Sequence, residues 1–335
     1  MKHFFRSTFI AIAITLTSCH SFGQKKDGYT AKIDSLIQIT NPRSFNGVVF
    51  IQQDGKTKYA KAYGYSDFNK KTQLKISDKF STMSIAKQFT AVLILQEVEK
   101  GTIDLHTPIR KYLPDFKYSW ADTITVHQLL TNNSGLNSED IDKPLKFAPG
   151  TAFNYSNIGY YVAGQVLEKQ SHKSFEELVT ALFKKCKMND SYYPNESNNN
   201  FLTKGHTVKK DGSYKLNEKL NFDIHNYFGS HLIVSAPDLA KWNEYLHNGK
   251  LLKPETYKMM TSYSITNTHK LFSEKPIGYG YGLRINDKDS IMEIGHTGFH
   301  PSEGFTAVNL YYPKTKTCVI VMENQANENF DIAYY

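Results

Sequence analysis

Three short groups of residues have the types and spacing that can do chemistry. The first is Ser84-Ile85-Ala86-Lys87, a hydroxyl and an amine three residues apart and the only SxxK in the chain. Ile85, Phe89, Val92, Leu95 and Val98 follow at helical spacing, and Gly101 supplies a stop. This pattern puts Ser84 at a helix start and Lys87 one turn later on the same side. The exposed amides and dipole there favour developing negative charge and disfavour an ammonium. The lysine pKa therefore falls toward that of a usable base, and a serine needs such a neighbour to become a nucleophile. Taken alone, the same four residues read equally well as a helix-capping serine beside a surface lysine.

The second group is Tyr155-Ser156-Asn157, after Pro149-Gly150 and before a helix around Tyr160. A tyrosine relays a proton when cations lower its pKa of about 10, and an asparagine amide holds a substrate carbonyl. Tyr193-Pro194-Asn195 has the same spacing, so the spacing by itself also describes an ordinary polar turn. The third group, His296-Thr297-Gly298, follows the strand-like run Ser290 to Ile294. Its glycine lets an extended substrate approach the backbone, and the His296 ring and Thr297 hydroxyl are expected to face one cleft. A lone histidine there is otherwise structural. No HExxH, CxxC or histidine cluster points to a metal or other cofactor; His296 and His300 lack a third ligand.

The elements that must position these groups fall into two sets. Gly47 to Tyr65 reads as a hairpin turning at Asp54-Gly55. Strand-like runs return at Tyr279 to Ile285, Ser290 to Ile294, Phe305 to Tyr311 and Thr317 to Met322, with a turn at Tyr312-Pro313-Lys314-Thr315. Between the sets the pattern is helical: Tyr160 to Gln170, Phe175 to Phe183, Ala236 to Leu246 and Pro254 to Met260, with a polar loop at Asn195 to Asn200. The expected class is α+β. One antiparallel sheet is built from both chain ends (about 30–80 and 278–335), with a largely helical lobe (about 81–277) inserted, and a site lies between the lobes.

Composition narrows the classes. Of 335 residues, 40% are hydrophobic and 21% charged, which excludes a disordered tail and a membrane bundle. Part of the net charge of +8 sits in Lys2 and Arg6, and the other lysines are scattered, some in pairs such as Lys70-Lys71 and Lys209-Lys210. These read as a solvated surface, and no nucleic-acid module is visible. Residues 1–24 read as an export leader: Lys2 and Arg6, an apolar stretch from Ser7 to Leu16, then small polar residues. Leu16-Thr17-Ser18-Cys19 resembles a lipoprotein box, which would make Cys19 a lipidated anchor to the membrane; cleavage near Gly23-Gln24 is the rival. The mature protein is expected outside the cytoplasm, periplasmic or membrane-anchored, with its folded domain over residues 30–335. Cys186 and Cys318 are expected to be separate buried thiols.

In the order SxxK, YxN, HTG, the chain resembles the penicillin-recognising serine hydrolases: class C β-lactamases, low-molecular-weight D,D-peptidases and related esterases. The resemblance extends over Phe80 to Phe116, Ile124 to Leu136, Phe147 to Asn157 and Gly295 to Gly298. It implies a β-lactamase/transpeptidase-like fold with Ser84 as nucleophile, Lys87 as its base partner and Tyr155 as proton shuttle. Asn157 would orient substrate, His296 would take the place of the lysine of β-lactamases, and Thr297 and Gly298 would meet substrate. The amides of Ser84 and Phe299 would form the oxyanion hole. HTG in place of KTG fits the peptidase and esterase branches. Asn132-Asn133 stands where a histidine-containing pair is frequent, and His300-Pro301-Ser302-Glu303 lengthens the link to Gly304. The chain ends soon after its last strand, so a short or missing terminal helix is expected. Arg284 matches the cation with which D,D-peptidases hold a terminal carboxylate. A register change of one residue would instead turn it to solvent on the other sheet face.

The implied function is an exported serine hydrolase acting through an acyl-serine on a β-lactam, a D-amino-acid peptide from the cell wall, or an ester. The alternative is a non-catalytic receptor of the same fold, whose sign would be a missing Lys87 or Tyr155. An α/β-hydrolase lacks support, because no GxSxG occurs.

Overall fold

The computed structural model describes residues 28–39, 43–138, 140–195, 202–217, 220, 228–270 and 272–327. Cys19, the rest of the expected leader and residues 196–200 of the polar loop lie outside the described residues. Helix α1 (Gly28–Ile37) belongs to a small unit of its own and buries no side chain.

The larger unit is built on an eight-stranded sheet. Its strands are β1 (Gly47–Gln53), β2 (Lys56–Tyr63), β3 (Thr266–His269), β4 (Ser273–Tyr279), β5 (Arg284–Asn286), β6 (Glu293–His300), β7 (Phe305–Tyr312) and β8 (Thr317–Glu323). They lie in the order β2-β1-β8-β7-β6-β5-β4-β3, every pair antiparallel. Asp54 (φ 48°) and Gly55 (φ 74°) close the first hairpin, the two positive φ values that a turn matching strand twist requires. The sheet draws on both ends of the unit, as the sequence implies, but its second segment begins at Thr266, ahead of the expected boundary near 278.

Two strand expectations need correction. Tyr279 to Ile285 is a corner, not one strand. β4 ends at Tyr279, Gly280 donates to the Leu283 carbonyl at 2.8 Å, and Gly282 takes φ 69° before β5 starts. A side chain on Gly282 would meet the Lys87 carbonyl at 2.6 Å, so the corner folds tightly onto the lysine's helix. The run at Ser290 to Ile294 is displaced: β6 starts at Glu293 and continues through His300. His296-Thr297-Gly298 therefore lies inside a strand, not after one.

The helical part holds α2 (Ala86–Lys100), α3 (Val126–Leu130), α4 (Asn157–Ser171), α5 (Phe175–Lys185), α6 (Ala236–His247) and α7 (Pro254–Met260). α2 is buried on nearly every face, which marks it as the central helix. It packs against α4, α5 and α7, while α6 packs on β1 and β8. Phe89 of α2 stacks on Trp242 of α6 at 3.8 Å, and the indole N–H donates to Gln88 Oε1 at 2.9 Å. Gly101 at φ 79° ends α2 in a left-handed cap. Cys186 and Cys318 are both buried and unbonded to each other.

Candidate active site

The turn that delivers Ser84 is anchored before α2 begins. Thr82 N–H donates to the Leu232 carbonyl at 2.8 Å. Met83 is held at φ 45°, a left-handed conformation that a non-glycine residue adopts only under constraint. Ser84 then sits in a 3₁₀ turn, Met83–Ile85, leading into α2. It is the one residue of 81–90 that is not buried. Its side chain caps neither helix start. The hydroxyl instead accepts from Lys87 Nζ at 3.2 Å, so the capping reading of SxxK does not hold.

Lys87 is wholly buried. Besides Ser84 its ammonium faces Asn157 Oδ1 at 2.7 Å and the Gly229 carbonyl at 3.0 Å. The Tyr155 and Tyr160 rings lie 5.0 and 5.3 Å away. These acceptors are all neutral. Burial, and after it the Arg284 guanidinium, lower the Lys87 pKa to about 7. The helix-start field invoked from sequence is thus joined by a larger cause, desolvation. Gly229 matters here because a Cβ on it would stand 3.2 Å from Lys87 Nζ; its bareness lets the carbonyl reach the amine.

The Tyr-Ser-Asn segment is fixed by α4 and by Asn132. Ser156 caps α4 by accepting from Gly159 N–H at 3.1 Å, which sets Asn157 as the first helical residue beside Lys87. Asn132, at φ 56°, accepts from Ser156 N–H through Oδ1 at 3.0 Å and from Asn154 N–H through its carbonyl at 2.8 Å. Asn132 thus holds the residues on either side of Tyr155. The Tyr155 ring is half-buried, while its hydroxyl is buried without a hydrogen bond of ordinary geometry. Burial pushes the Tyr155 pKa up to about 12, with the Ser84 hydroxyl and the Arg284 cation pulling the other way.

The third motif departs from expectation in one respect. The His296 ring is buried and does not stand in the open cleft with Thr297; neighbours on a strand point to opposite faces. Its Nδ1 lies 2.6 Å from the Thr297 carbonyl and its Nε2 3.0 Å from Tyr279 Oη. A carbonyl only accepts, so Nδ1 carries the proton and Nε2 accepts from Tyr279. Burial, then Arg284 and Lys87, hold the His296 pKa well below its ordinary value. His296 is therefore neutral and does not replace a lysine's charge.

A buried cation nearby is Arg284. It is 6% exposed, not turned to solvent, and its guanidinium lies 5.9 Å from the Tyr155 ring and 5.4 Å from the Tyr279 ring. Its guanidinium donates to Asn267 Oδ1 at 3.3 Å, and among the described residues Nε has no hydrogen-bond partner. No carboxylate among the described residues pairs with it.

The open side of the site is an edge of β6. β5 pairs with only Glu293, Ile294 and Gly295, whereas β7 covers β6 from Ile294 to His300. From His296 onward no described strand covers the β5 side. Gly298 lies against the turn that carries Ser84, where a Cβ would meet the Thr82 carbonyl at 2.4 Å and Met83 Cβ at 2.8 Å. Phe299, half-buried, is the next residue along the strand. A cavity of about 740 Å³ near Phe45, Tyr65, Phe68 and Tyr214 shares no residue with this site and holds no nucleophile–base pair.

Sequence reasoning missed Tyr279, Gly229, Tyr160 and the bracing role of Asn132. A buried tyrosine needs a partner for its hydroxyl, and Tyr279 lay in a run already singled out. Nothing local marks Gly229.

An eight-stranded sheet, a buried SxxK helix and the converging YxN and HTG segments define a serine-hydrolase architecture of the penicillin-recognising type. The Beta-lactamase family profile matches residues 38–334, and the chain belongs to that family. Protein flp of Staphylococcus aureus strain N315 is 25% identical over 305 residues, covering 84% of this chain and 59% of that protein. The chain thus spans about three fifths of the length of that relative. Teichoic acid D-alanine hydrolase of S. aureus strain NCTC 8325 is 28% identical over 330 residues, covering 92% of this chain and 77% of that one. Among solved structures, D-amino acid amidase from Ochrobactrum anthropi SV3 superposes with a TM-score of 0.78 at 19% identity, covering 92% of this chain and 94% of that one.

Proposed function

We propose that the protein is an exported serine hydrolase that cleaves an amide or ester bond through an acyl-Ser84 intermediate. The observation that carries this is the 3.2 Å contact between a buried Lys87 amine and the one accessible hydroxyl of its helix turn. With Lys87 near pKa 7 and Tyr155 near 12, the two environments separate the roles. Neutral Lys87 takes the Ser84 proton as Oγ attacks the carbonyl carbon. Tyr155 keeps its proton at neutral pH, donates it to the leaving group and regains one from the Lys87 ammonium. The amides of Ser84 and Phe299 receive the oxyanion, and substrate lies along the open edge of β6, with Asn157 and Thr297 beside it. A non-catalytic receptor has no use for an unpaired, deprotonatable lysine at its serine, so the hydrolase is preferred.

The substrate class we favour is a D-amino-acid amide, peptide or ester, the chemistry named for the teichoic acid D-alanine hydrolase and the D-amino acid amidase that this chain resembles. Arg284, a buried cation without a carboxylate partner, supports a substrate that carries its own carboxylate. The test is kinetic. Arg284→Ala should raise KM for D-alanyl-D-alanine peptides with a free terminus about 10-fold or more, and hardly change it for their amidated counterparts. Equal losses on both would remove the carboxylate from the account. Export with lipidation at Cys19 is part of the same proposal; Cys19→Ala should release the protein from the membrane fraction of a Gram-negative host.

A further inference from the structure

Residues 228–232 form a stretch of backbone that meets the nucleophile's turn and helix at three points. The Phe228 carbonyl accepts from the Thr90 hydroxyl, the Gly229 carbonyl from Lys87 Nζ at 3.0 Å and the Leu232 carbonyl from Thr82 N–H at 2.8 Å. Just beyond, Ile233–Ser235 pairs antiparallel with Lys79–Ser81, so the stretch is tied down on its C-terminal side. Between Gly229 and Leu232 the chain turns at His231, held at φ 70°. A residue with a Cβ keeps that left-handed conformation only where its surroundings over-determine it.

The His231 side chain is bonded at both ring nitrogens. Nε2 lies 2.8 Å from Glu303 Oε2, and Nδ1 lies 2.7 Å from Ser230 Oγ. His231 and Glu303 are both buried. An ionised carboxylate only accepts, so Nε2 carries a proton whether the ring is neutral or charged, and the bond to Glu303 persists in both forms. Glu303 itself stands on a fixed support. Its N–H and that of Gly304 donate to the His300 carbonyl at 3.2 and 2.9 Å, and a Cβ on Gly205 would meet the Glu303 carbonyl at 1.9 Å. His300 is the last residue of β6, so the carboxylate is held relative to the strand that carries HTG.

We propose that the His231–Glu303 bond is a positioning strut for the general base: it holds the Gly229 carbonyl against the Lys87 amine and keeps that amine in register with β6. The inference rests on the acyl-Ser84 reading above. Neither His231 nor Glu303 meets substrate or water in it; Lys87 and Tyr155 move the protons, and the strut acts through the Gly229 backbone.

The Gly229 carbonyl is one of three acceptors on Lys87 Nζ, with Ser84 Oγ and Asn157 Oδ1. An acceptor favours the ammonium over the amine, so the carbonyl opposes the burial that lowers the Lys87 pKa to about 7. If the carbonyl recedes, the pKa falls further, and Nζ loses one of the bonds that aim it at Ser84. The titratable and charged groups around Lys87 are Tyr155, Tyr160, Arg284 and His296. Those around the strut include His300, whose ring lies 6.0 Å from that of His231. The Glu303 charge also favours a cation wherever its field reaches, so a test of the strut must separate its shape from its charge.

The experiment measures kcat and KM for p-nitrophenyl acetate from pH 5 to 9. It uses the full chain, Glu303→Leu, Glu303→Gln, His231→Gly and the double variant His231→Gly/Glu303→Leu, with urea midpoints to establish that each is folded at every pH used. Glycine keeps the left-handed backbone and removes the ring, and the double variant leaves neither group buried without its partner. Glu303→Leu should lower kcat roughly 10-fold or more with little change in KM, and move the acid limb of kcat/KM down from near 7 by about one unit. The loss should therefore be smaller at pH 5.5 than at pH 8. His231→Gly should do the same, and the double variant should be no worse than either single one. Glu303→Gln, whose amide oxygen still accepts from Nε2–H, should keep the limb and most of the activity. Unchanged kcat in Glu303→Leu, a loss equal at every pH, or losses that add in the double variant would each overturn the strut. A limb that moves as far in Glu303→Gln as in Glu303→Leu would overturn it too, and assign the effect to charge. A wild-type protein with no acid limb near 7 would instead overturn the Lys87 reading beneath it.

Discussion

Asn157→Asp probes the electrostatic design of the site with almost no change of shape. Lys87 Nζ lies 2.7 Å from Asn157 Oδ1 and has only neutral acceptors around it. Its pKa of about 7, against 10.5 for a free lysine, corresponds to about 5 kcal/mol of preference for the neutral amine. A carboxylate in place of the amide would favour the ammonium and raise the lysine pKa by about 1–3 units. For a shift of about two units, the neutral fraction at pH 7 falls from about half to about one per cent. Relative to wild type, kcat/KM at pH 7 should drop roughly 50-fold and recover above about pH 9. The assay is kcat/KM for p-nitrophenyl acetate from pH 5 to 10, with Ser84→Ala as the blank. An acid limb that stays near pH 7, or a loss equal at every pH, would refute Lys87 as the base whose burial sets its pKa.

Lys87→Met gives the stability counterpart. An unfolded lysine keeps its proton to about pH 10.5, whereas folded Lys87 releases it near 7. The unfolded state therefore binds more protons between these values, and wild-type stability should rise with pH across that window by up to about 5 kcal/mol relative to the variant. Urea unfolding at pH 6 and pH 10 measures this, and a difference that does not change with pH would contradict the lowered pKa. Tyr279→Phe removes the hydroxyl that satisfies His296 Nε2 and should destabilise by about 1–3 kcal/mol, read by the urea midpoint, with a smaller effect on KM than on kcat. Gly298→Ala places a methyl group 2.4 Å from the Thr82 carbonyl. It should cost about 1–3 kcal/mol and slow Ser84 acylation more than it changes KM.

How much of this was legible beforehand depended on whether a feature was local. α2 announced itself through apolar spacing from Ile85 to Val98 and the stop at Gly101, and α7 coincides with the expected Pro254 to Met260. β6 was misread because Gly295, His296, Thr297 and Gly298 lack an apolar alternation: the strand's interior positions are occupied by the site itself. β4 and β5 were merged because Gly280 and Gly282, which fold the corner onto α2, are surrounded by apolar residues on both sides. SxxK was visible as a spacing, but the burial that lowers the Lys87 pKa comes from the whole helical core. Gly229 and the chain from Ser230 to Glu303 had no signal at all. Glu303 lies 72 residues from His231, and only the tertiary fold brings the carboxylate to the ring.

The central claim is that Ser84 is the nucleophile, and covalent labelling tests it most directly. The full chain should be incubated with a fluorophosphonate or a fluorescent penicillin, digested, and mapped by mass spectrometry. One adduct should appear on the peptide that contains Ser84 and disappear in Ser84→Ala. An adduct that persists undiminished in that variant, or that maps to Ser230, would contradict the account.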